Sequence, residues 1–421
     1  MFRKMDEFDQ LLSVTPDALE QYIVLPGLGG EIILYEGEFW LKTGDSETLL
    51  RGKIGYTFCE KIELLFEGES ASDASLSAWV GNYVDLVSQD HAWTGEAIVL
   101  RYSQGQLRGS VDRIKKIDQP SCKRWRWCYL NVPKVFGDSV RRGRKISRDR
   151  LLFQASDYQI ILENKEDYFE QKSHREISHY CEIRRMDGSL LSFDEANAEI
   201  ILFSRFVSFF SGNHHSPFFI EGLDECVVKS EINAVGHERG LVGVSTWKPD
   251  FKDQDLVPLW RLFRARYKES SDTADVLNTV LHWYLEANQN SGMLEGAFLL
   301  GFTGLELLSD EIVGKELGNK ERVADFFQRL NIAVDVEPEV ISSMRNTLMH
   351  YKKQKRAIYA NTSFDDKWKR LEVLLLVLEL SLLYWLGYEG HYCNRLIYTW
   401  RGSGVKKVPW IVSSDDNTKI R

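Results

Sequence analysis

The sequence predicts an α+β chain, with a β-rich, sandwich-like N-terminal module followed by an all-α helical bundle. Three observations carry that expectation. The front of the chain holds short segments rich in β-branched and aromatic residues, punctuated by glycine. From Asp272 onward, apolar residues recur at helical spacing over stretches too long for strands. Between the two, Ser192 and Glu195 stand at the spacing of a capping box. At 421 residues the chain exceeds what one hydrophobic core usually serves. The expected division is residues 1–250 for the β-rich module, 255–405 for the bundle and 406–421 for a C-terminal tail.

Residues 30–35, 49–57, 62–67 and 97–102 read as strands of a sheet or sandwich. The glycine-rich 25–30 lacks the lysine and hydroxyl residue of a phosphate loop, so it reads as a turn before the first strand. The capping box opens a helix through Ile200, Phe203, Phe206 and Phe210 that Gly212 stops. Five helices follow, over 272–290, 293–313, 321–330, from Pro338 to about residue 353, and 365–388, and together they predict an antiparallel bundle. The apolar run 371–386 contains Glu372 and Glu379 and is too short for a comfortable membrane span.

The Pro338 helix carries the segment Arg345-Asn346-Thr347-Leu348-Met349-His350. At 100° per residue, Val340, Ile341, Met344, Leu348 and Tyr351 form a stripe for the bundle core. Asn346 and His350 share the opposite side, and Arg345 flanks them. A guanidinium for a phosphate beside a titratable imidazole suits metal-free RNA cleavage, which needs proton removal, proton delivery and charge neutralisation.

The helix order and this Arg-polar-x3-His pattern resemble the HEPN domains, a helical family with ribonuclease members. Arg345, Asn346 and His350 match the pattern position by position, and Glu306 looks like an acidic position of related domains. The whole order is similar to ApeA-type anti-phage defence proteins: a β-rich module, an aromatic helix followed by Phe218-Phe219-Ile220-Glu221-Gly222, then the bundle. The resemblance implies an abortive-infection endoribonuclease that works as a homodimer, needs no cofactor and cuts RNA. It further implies tRNA, in or near the anticodon loop, as the RNA and a phage-derived activator sensed by the β-module. A second reading keeps the bundle as a non-catalytic dimerisation or binding element, with the β-module recognising a ligand or partner.

A net charge of −9 argues against indiscriminate coating of nucleic acid, so an RNA site has to be local. Arg141, Arg142, Arg144 and Lys145 head the densest basic run, which reads as an exposed loop. Lys352, Lys353, Lys355 and Arg356 continue from His350. In Lys123-Arg124-Trp125-Arg126-Trp127, alternation on a strand buries the tryptophans and exposes the cations.

Other chemistries lack their signatures. There is no HExxH, and His174, His179, His214 and His215 read as loop, cap or surface residues, so no metal site is expected. Six cysteines without a CxxC pair suit reduced thiols, and the start 1–7 lacks the apolar core of a secretion signal. The expected compartment is the cytoplasm, with no membrane partner.

Overall fold

The computed structural model describes residues 12–23, 30–58, 62–70, 76–90, 92–116, 121–166, 177–224, 227–233, 246–249, 252–289, 293–313, 318–331, 338–349, 359–397 and 404–411. By internal contacts the chain divides into two units. One comprises residues 1–134, 138–204 and 215–240, the other 135–137, 205–214 and 241–421.

The first unit is built on one sheet of thirteen strands. Its first six are β1 (Glu31–Thr43), β2 (Ser46–Phe58), β3 (Ile62–Ser70), β4 (Tyr83–Ser88), β5 (Trp93–Ser103) and β6 (Gln106–Lys116). They run in the order β3-β2-β1-β4-β5-β6, and β3 also pairs with β6, so the six close into a barrel. Period-two alternation sends Leu50, Ile54, Tyr56 and Phe58 of β2 and Leu107 and Val111 of β6 into a common core with Phe39, Leu41 and Phe66. At the closing seam Phe66 lies opposite Gly109. A Cβ on Gly109 would strike the Phe66 ring and the Ile98 carbonyl, so only glycine lets β3 and β6 approach there.

A sandwich-like module is therefore not what forms. Alternation along a strand is the same in a sandwich and a barrel, and the difference lies in which edges pair. The sheet continues beyond β6 through β15 (Val227–Asn233), β14 (Phe218–Leu223), β8 (Arg124–Leu130), β12 (Ile177–Arg185), β11 (Tyr158–Asn164), β10 (Lys145–Ala155) and β9 (Asp138–Arg142), while β7 (Ser121–Cys122) and β13 (Leu191–Ser192) pair with each other as a separate short ladder. Against this part lies the start of helix α1 (Phe193–Ser211), of which residues 193–204 belong to this unit. Phe193 meets Trp125 edge-on at 5.3 Å, and Phe203 meets Phe153 at 5.0 Å. The capping box forms: Ser192 N–H donates to Glu195 Oε2 (3.2 Å) and Glu195 N–H to Ser192 Oγ (3.4 Å).

The second unit is helical, with α2 (Leu256–Tyr267), α3 (Ser271–Asn288), α4 (Met293–Val313), α5 (Asn319–Arg329), α6 (Pro338–Met349) and α7 (Phe364–Trp385). Four of the five expected helices form within a few residues of their expected bounds, the fifth starts at Pro338 as expected with its expected end near residue 353 outside the described residues, and α2 is an addition. Phe206 and Phe209, at the end of α1, pack with Trp260 and Phe263 of α2, Trp247 and Tyr284. Gly301 and Gly304 leave room on α4 for Leu374 and Leu378 of α7, which lets two apolar helices pack closely. At the border of the expected tail, Val405–Lys407 pairs with His391–Cys393 as a short antiparallel ladder. Among the described residues no helix is long and apolar enough to cross a membrane.

Helix α7 buries Glu379 completely, in company with Arg395. Arg395 donates to Glu372 (2.7 Å), to Glu379 (3.0 Å) and to the Asn288 side-chain oxygen (2.8 Å). The Tyr284 hydroxyl also donates to Glu379, at 2.8 Å. Burial pushes the Glu379 carboxyl up to about 7 against the pull of Arg395 and Tyr284.

Candidate functional site

Helix α6 carries Arg345 and Asn346, while His350 lies outside the described residues, as do Lys352, Lys353, Lys355 and Arg356. Pro338 sits at the first position of the helix, where its missing N–H leaves no bond unmade. Ile341, Ser342 and Met344 are buried, and Val340 and Leu348 are half-buried, so the described part of the apolar stripe forms with Ser342 added to it, and Tyr351 lies outside the described residues.

Arg345 is not on an open face. Its guanidinium lies 3.7 Å from Glu306 and 5.9 Å over the Phe302 ring, both on α4. It also donates to the Asn346 side-chain oxygen at 3.3 Å. The cause is spacing on the neighbouring helix: Phe302 and Glu306 are four apart and present a π-face and a carboxylate to one cation. Arg345, Asn346 and Glu306 are thus brought together, each half-buried. A guanidinium held this way has a fixed orientation, with part of its charge answered by Glu306.

The basic run at 140–150 is a hairpin, not an exposed loop. β9 and β10 turn at Gly143, whose φ of 59° is in the left-handed region. Arg141 pairs with Asp17 at 2.7 Å. Arg142 is nearly buried between Asp149 (2.7 Å) and Glu163 (3.1 Å), and Arg150 lies 2.5 Å from Glu163. Burial would raise the Asp149 carboxyl, but hydrogen bonds from Ser147, Asn164 and Arg142 hold it below its ordinary value. Burial wins at Glu163, whose carboxyl is raised despite two arginines. Arg144 and Lys145 at the turn are exposed, with Lys145 4.0 Å from Glu166. Of the four cations, these two are exposed, Arg141 is half-exposed against Asp17 and Arg142 is nearly buried.

On β8, Trp125 and Trp127 are fully buried as alternation requires, and Arg124 is exposed. Arg126 is buried instead of exposed. Glu221 (2.9 Å) and Glu20 (3.1 Å) pair with it, and its guanidinium stacks 3.7 Å over the Tyr22 ring. The partners come from distant segments, which strand alternation does not register.

Of the histidines read as loop, cap or surface residues, His214 and His215 lie in the loop after α1, His174 lies outside the described residues, and His179 departs from the reading. His179 is fully buried on β12 beside Ser178 (3.0 Å), and His215 is buried against Tyr129. His214 meets His282 and Glu286, one ligand atom from each lying within 4.8 Å of the other two. The sequence carries half of that signal, since His282 and Glu286 are four apart on a helix. Cys122, Cys128, Cys181 and Cys393 are buried thiols outside any disulfide.

Fold and site define a two-unit α+β protein, a barrel-bearing sheet followed by a helical unit in which Arg345 is pinned to Glu306. Two family models match: the YopA central domain over residues 118–227 and the YopA C-terminal domain over residues 312–406. The second match includes Arg345, Asn346 and His350. Among known proteins, the chain is similar to the SPbeta prophage-derived uncharacterized protein YopA of Bacillus subtilis (strain 168). The two are 23% identical over 440 residues, which cover 93% of this chain and 98% of that protein. No solved structure matches the chain. Neither family description states an activity, and the HEPN likeness rests on the residues quoted above.

Proposed function

We propose that the chain is a metal-independent endoribonuclease acting through Arg345, Asn346 and His350, paired across a homodimer of the helical unit. The observation that carries the reading is the Arg345 guanidinium, held 3.7 Å from Glu306 and 3.3 Å from the Asn346 amide oxygen. An arginine fixed at both ends of its fork is suited to gripping a scissile phosphate in one geometry.

One His350 takes the proton from a ribose 2′-hydroxyl as its oxygen bonds to phosphorus. The bond from phosphorus to the 5′-oxygen breaks, and the second His350 returns a proton to that oxygen. Both Arg345 side chains hold the non-bridging oxygens as charge builds, and Asn346 orients the histidine or the phosphate. The products are a 2′,3′-cyclic phosphate and a 5′-hydroxyl. The substrate class proposed is tRNA, cut in or near its anticodon loop, where bases are unstacked and reachable. The setting proposed is the cytoplasm and the role anti-phage defence by abortive infection, with the first unit sensing a phage-derived activator. A relative described as prophage-derived supports that setting, because a resident prophage gains when a second phage fails.

The same ion pair favours a second reading. A guanidinium shared between Glu306 and Phe302 also clamps α6 to α4, as it would in a non-catalytic bundle that dimerises or binds a partner. RNA ends from cells expressing the wild type or His350→Ala, with and without infection, separate the two. New tRNA ends carrying a cyclic phosphate, persisting in vitro in excess chelator and absent from the variant, support the nuclease. Identical ends in both strains sink it in favour of the binding protein.

A further inference from the structure

Two histidines and a glutamate converge on the helical unit apart from Arg345, Glu306 and Asn346. His282 and Glu286 leave one face of α3, opposite the buried Leu277, Val280, Tyr284 and Ala287. His214 comes from the segment that follows α1. Gly212 ends that helix with φ 71°, and its carbonyl accepts from the Asn288 side-chain amide at 3.2 Å. Asn288 is itself held by Arg395, so a buried chain of hydrogen bonds ties the segment carrying His214 to the last turn of α3. His214 Nε2 lies 3.1 Å from Glu286 Oε1, and the His214 and His282 rings are 5.9 Å apart.

We propose that His214, His282 and Glu286 form a binding site for a transition-metal dication of the zinc type, with its fourth position open to water. Three arguments lead there. Two imidazole nitrogens and one carboxylate oxygen suit zinc or cobalt, whereas magnesium and calcium select oxygen donors. The geometry is close to that of a bound ion, since a tetrahedron of 2.0–2.1 Å bonds has edges of roughly 3.3 Å. The His214–Glu286 separation of 3.1 Å already meets that edge. His282 is exposed and its ligand atom lies within 4.8 Å of the other two, so a rotamer adjustment of at most about 1.5 Å completes the triangle. Finally, an ion pair between His214 and Glu286 gives no reason for a second imidazole. Two imidazolium ions repel, while one metal ion takes both rings.

The site would staple the segment after α1 to α3 and leave one coordination position toward solvent. It is independent of the nuclease proposal, because none of its ligands belongs to the Arg345 group and a chelator would empty it without touching that chemistry.

The test is a Co2+ titration of the untagged full chain followed by visible absorption, with Zn2+ competition and thermal melts. The expected result is one equivalent of Co2+ with the spectrum of nitrogen and oxygen ligands, displacement by Zn2+, and a Tm that rises with Zn2+. His282→Ala and Glu286→Gln should weaken binding by more than the roughly 10–100-fold that loss of an outer-shell partner produces. His282→Gln, at an exposed helical position, serves as a second variant should the alanine protein fold poorly. No spectrum and no Tm shift overturns the proposal. So does a thiolate charge-transfer band, which would place the ion on cysteine, or binding unchanged in the His282 variants.

Discussion

Arg345 and Glu306 face one another across two helices, the guanidinium 3.7 Å from the carboxylate with the Phe302 ring beneath it. The pair makes one cation do two things at once. It joins α6 to α4, and it presents a charge of fixed orientation beside Asn346. Folding and proposed catalysis therefore draw on one side chain, and they separate only through substitutions on both sides of the pair.

Arg345→Ala should abolish cleavage and also lower stability by about 1 kcal/mol, because a half-buried pair and its ring contact are lost. Glu306→Gln should keep the fold and bind RNA at least as tightly, since a negative charge leaves the site. Its kcat should fall about tenfold, because Arg345 is then less firmly aimed. Single-turnover kinetics and thermal melts measure both effects. Wild-type cleavage by Arg345→Ala would remove Arg345 from the proposed chemistry.

At the β9–β10 hairpin the four basic residues should divide into two pairs. Arg144→Glu with Lys145→Glu should leave the melting curve nearly unchanged and weaken RNA binding, with a shallower salt dependence, if RNA docks at this turn. Arg142→Ala should destabilise by about 3 kcal/mol, because Asp149 and Glu163 lose a shared cation in a nearly buried setting. Chemical denaturation and filter binding at two salt concentrations read both. Equal affinity of the doubly reversed protein for RNA would take the hairpin out of the interface.

Glu379 gives a pH dependence with a definite sign. An unfolded glutamate titrates near 4.5, whereas burial raises this one to about 7. Between those values the folded protein keeps a proton that the unfolded chain releases. The group's contribution is therefore fully present below about 4.5 and is lost as pH rises through about 7. Glu379→Gln stays neutral throughout, so the Tm of the wild type minus that of the variant should fall as pH goes from 4.5 to 7. A difference that grows with pH would mean that the charged Glu379–Arg395 pair is a net stabiliser, contrary to this account.

Local signals carried much of the placement of the helices. Ser192 and Glu195 marked the start of α1, Pro338 marked α6, and apolar periodicity placed α3, α4 and α7 within a few residues. The strand segments were legible too, but the barrel was not, because its closure depends on Phe66 meeting Gly109 far along the chain. Long-range pairing also hid the fate of the arginines. Arg126 looked outward by alternation until Glu221 and Glu20 drew it in, and Arg142 looked like loop until Glu163 did the same. In the candidate site Arg345 and Asn346 were placed on their helix and Glu306 was singled out through the resemblance, while the contact between Arg345 and Glu306 was not legible and His350 lies outside the described residues. His214 lies too far from His282 in sequence for any spacing rule to join them.

The six-stranded barrel carries a consequence for recognition. Even eight strands enclose little more than their own side chains, and here Phe39, Leu41, Leu50, Tyr56 and Phe66 already occupy the centre. If the unit senses an activator as proposed, its outer face offers apolar side chains for the contact: Tyr83 is 73% exposed, and Leu100 and Tyr102, alternate residues of β5, are 51% and 43% exposed. Sensing by this unit would be a matter of surface fit, and a bulky macromolecule suits it better than a metabolite that needs enclosure.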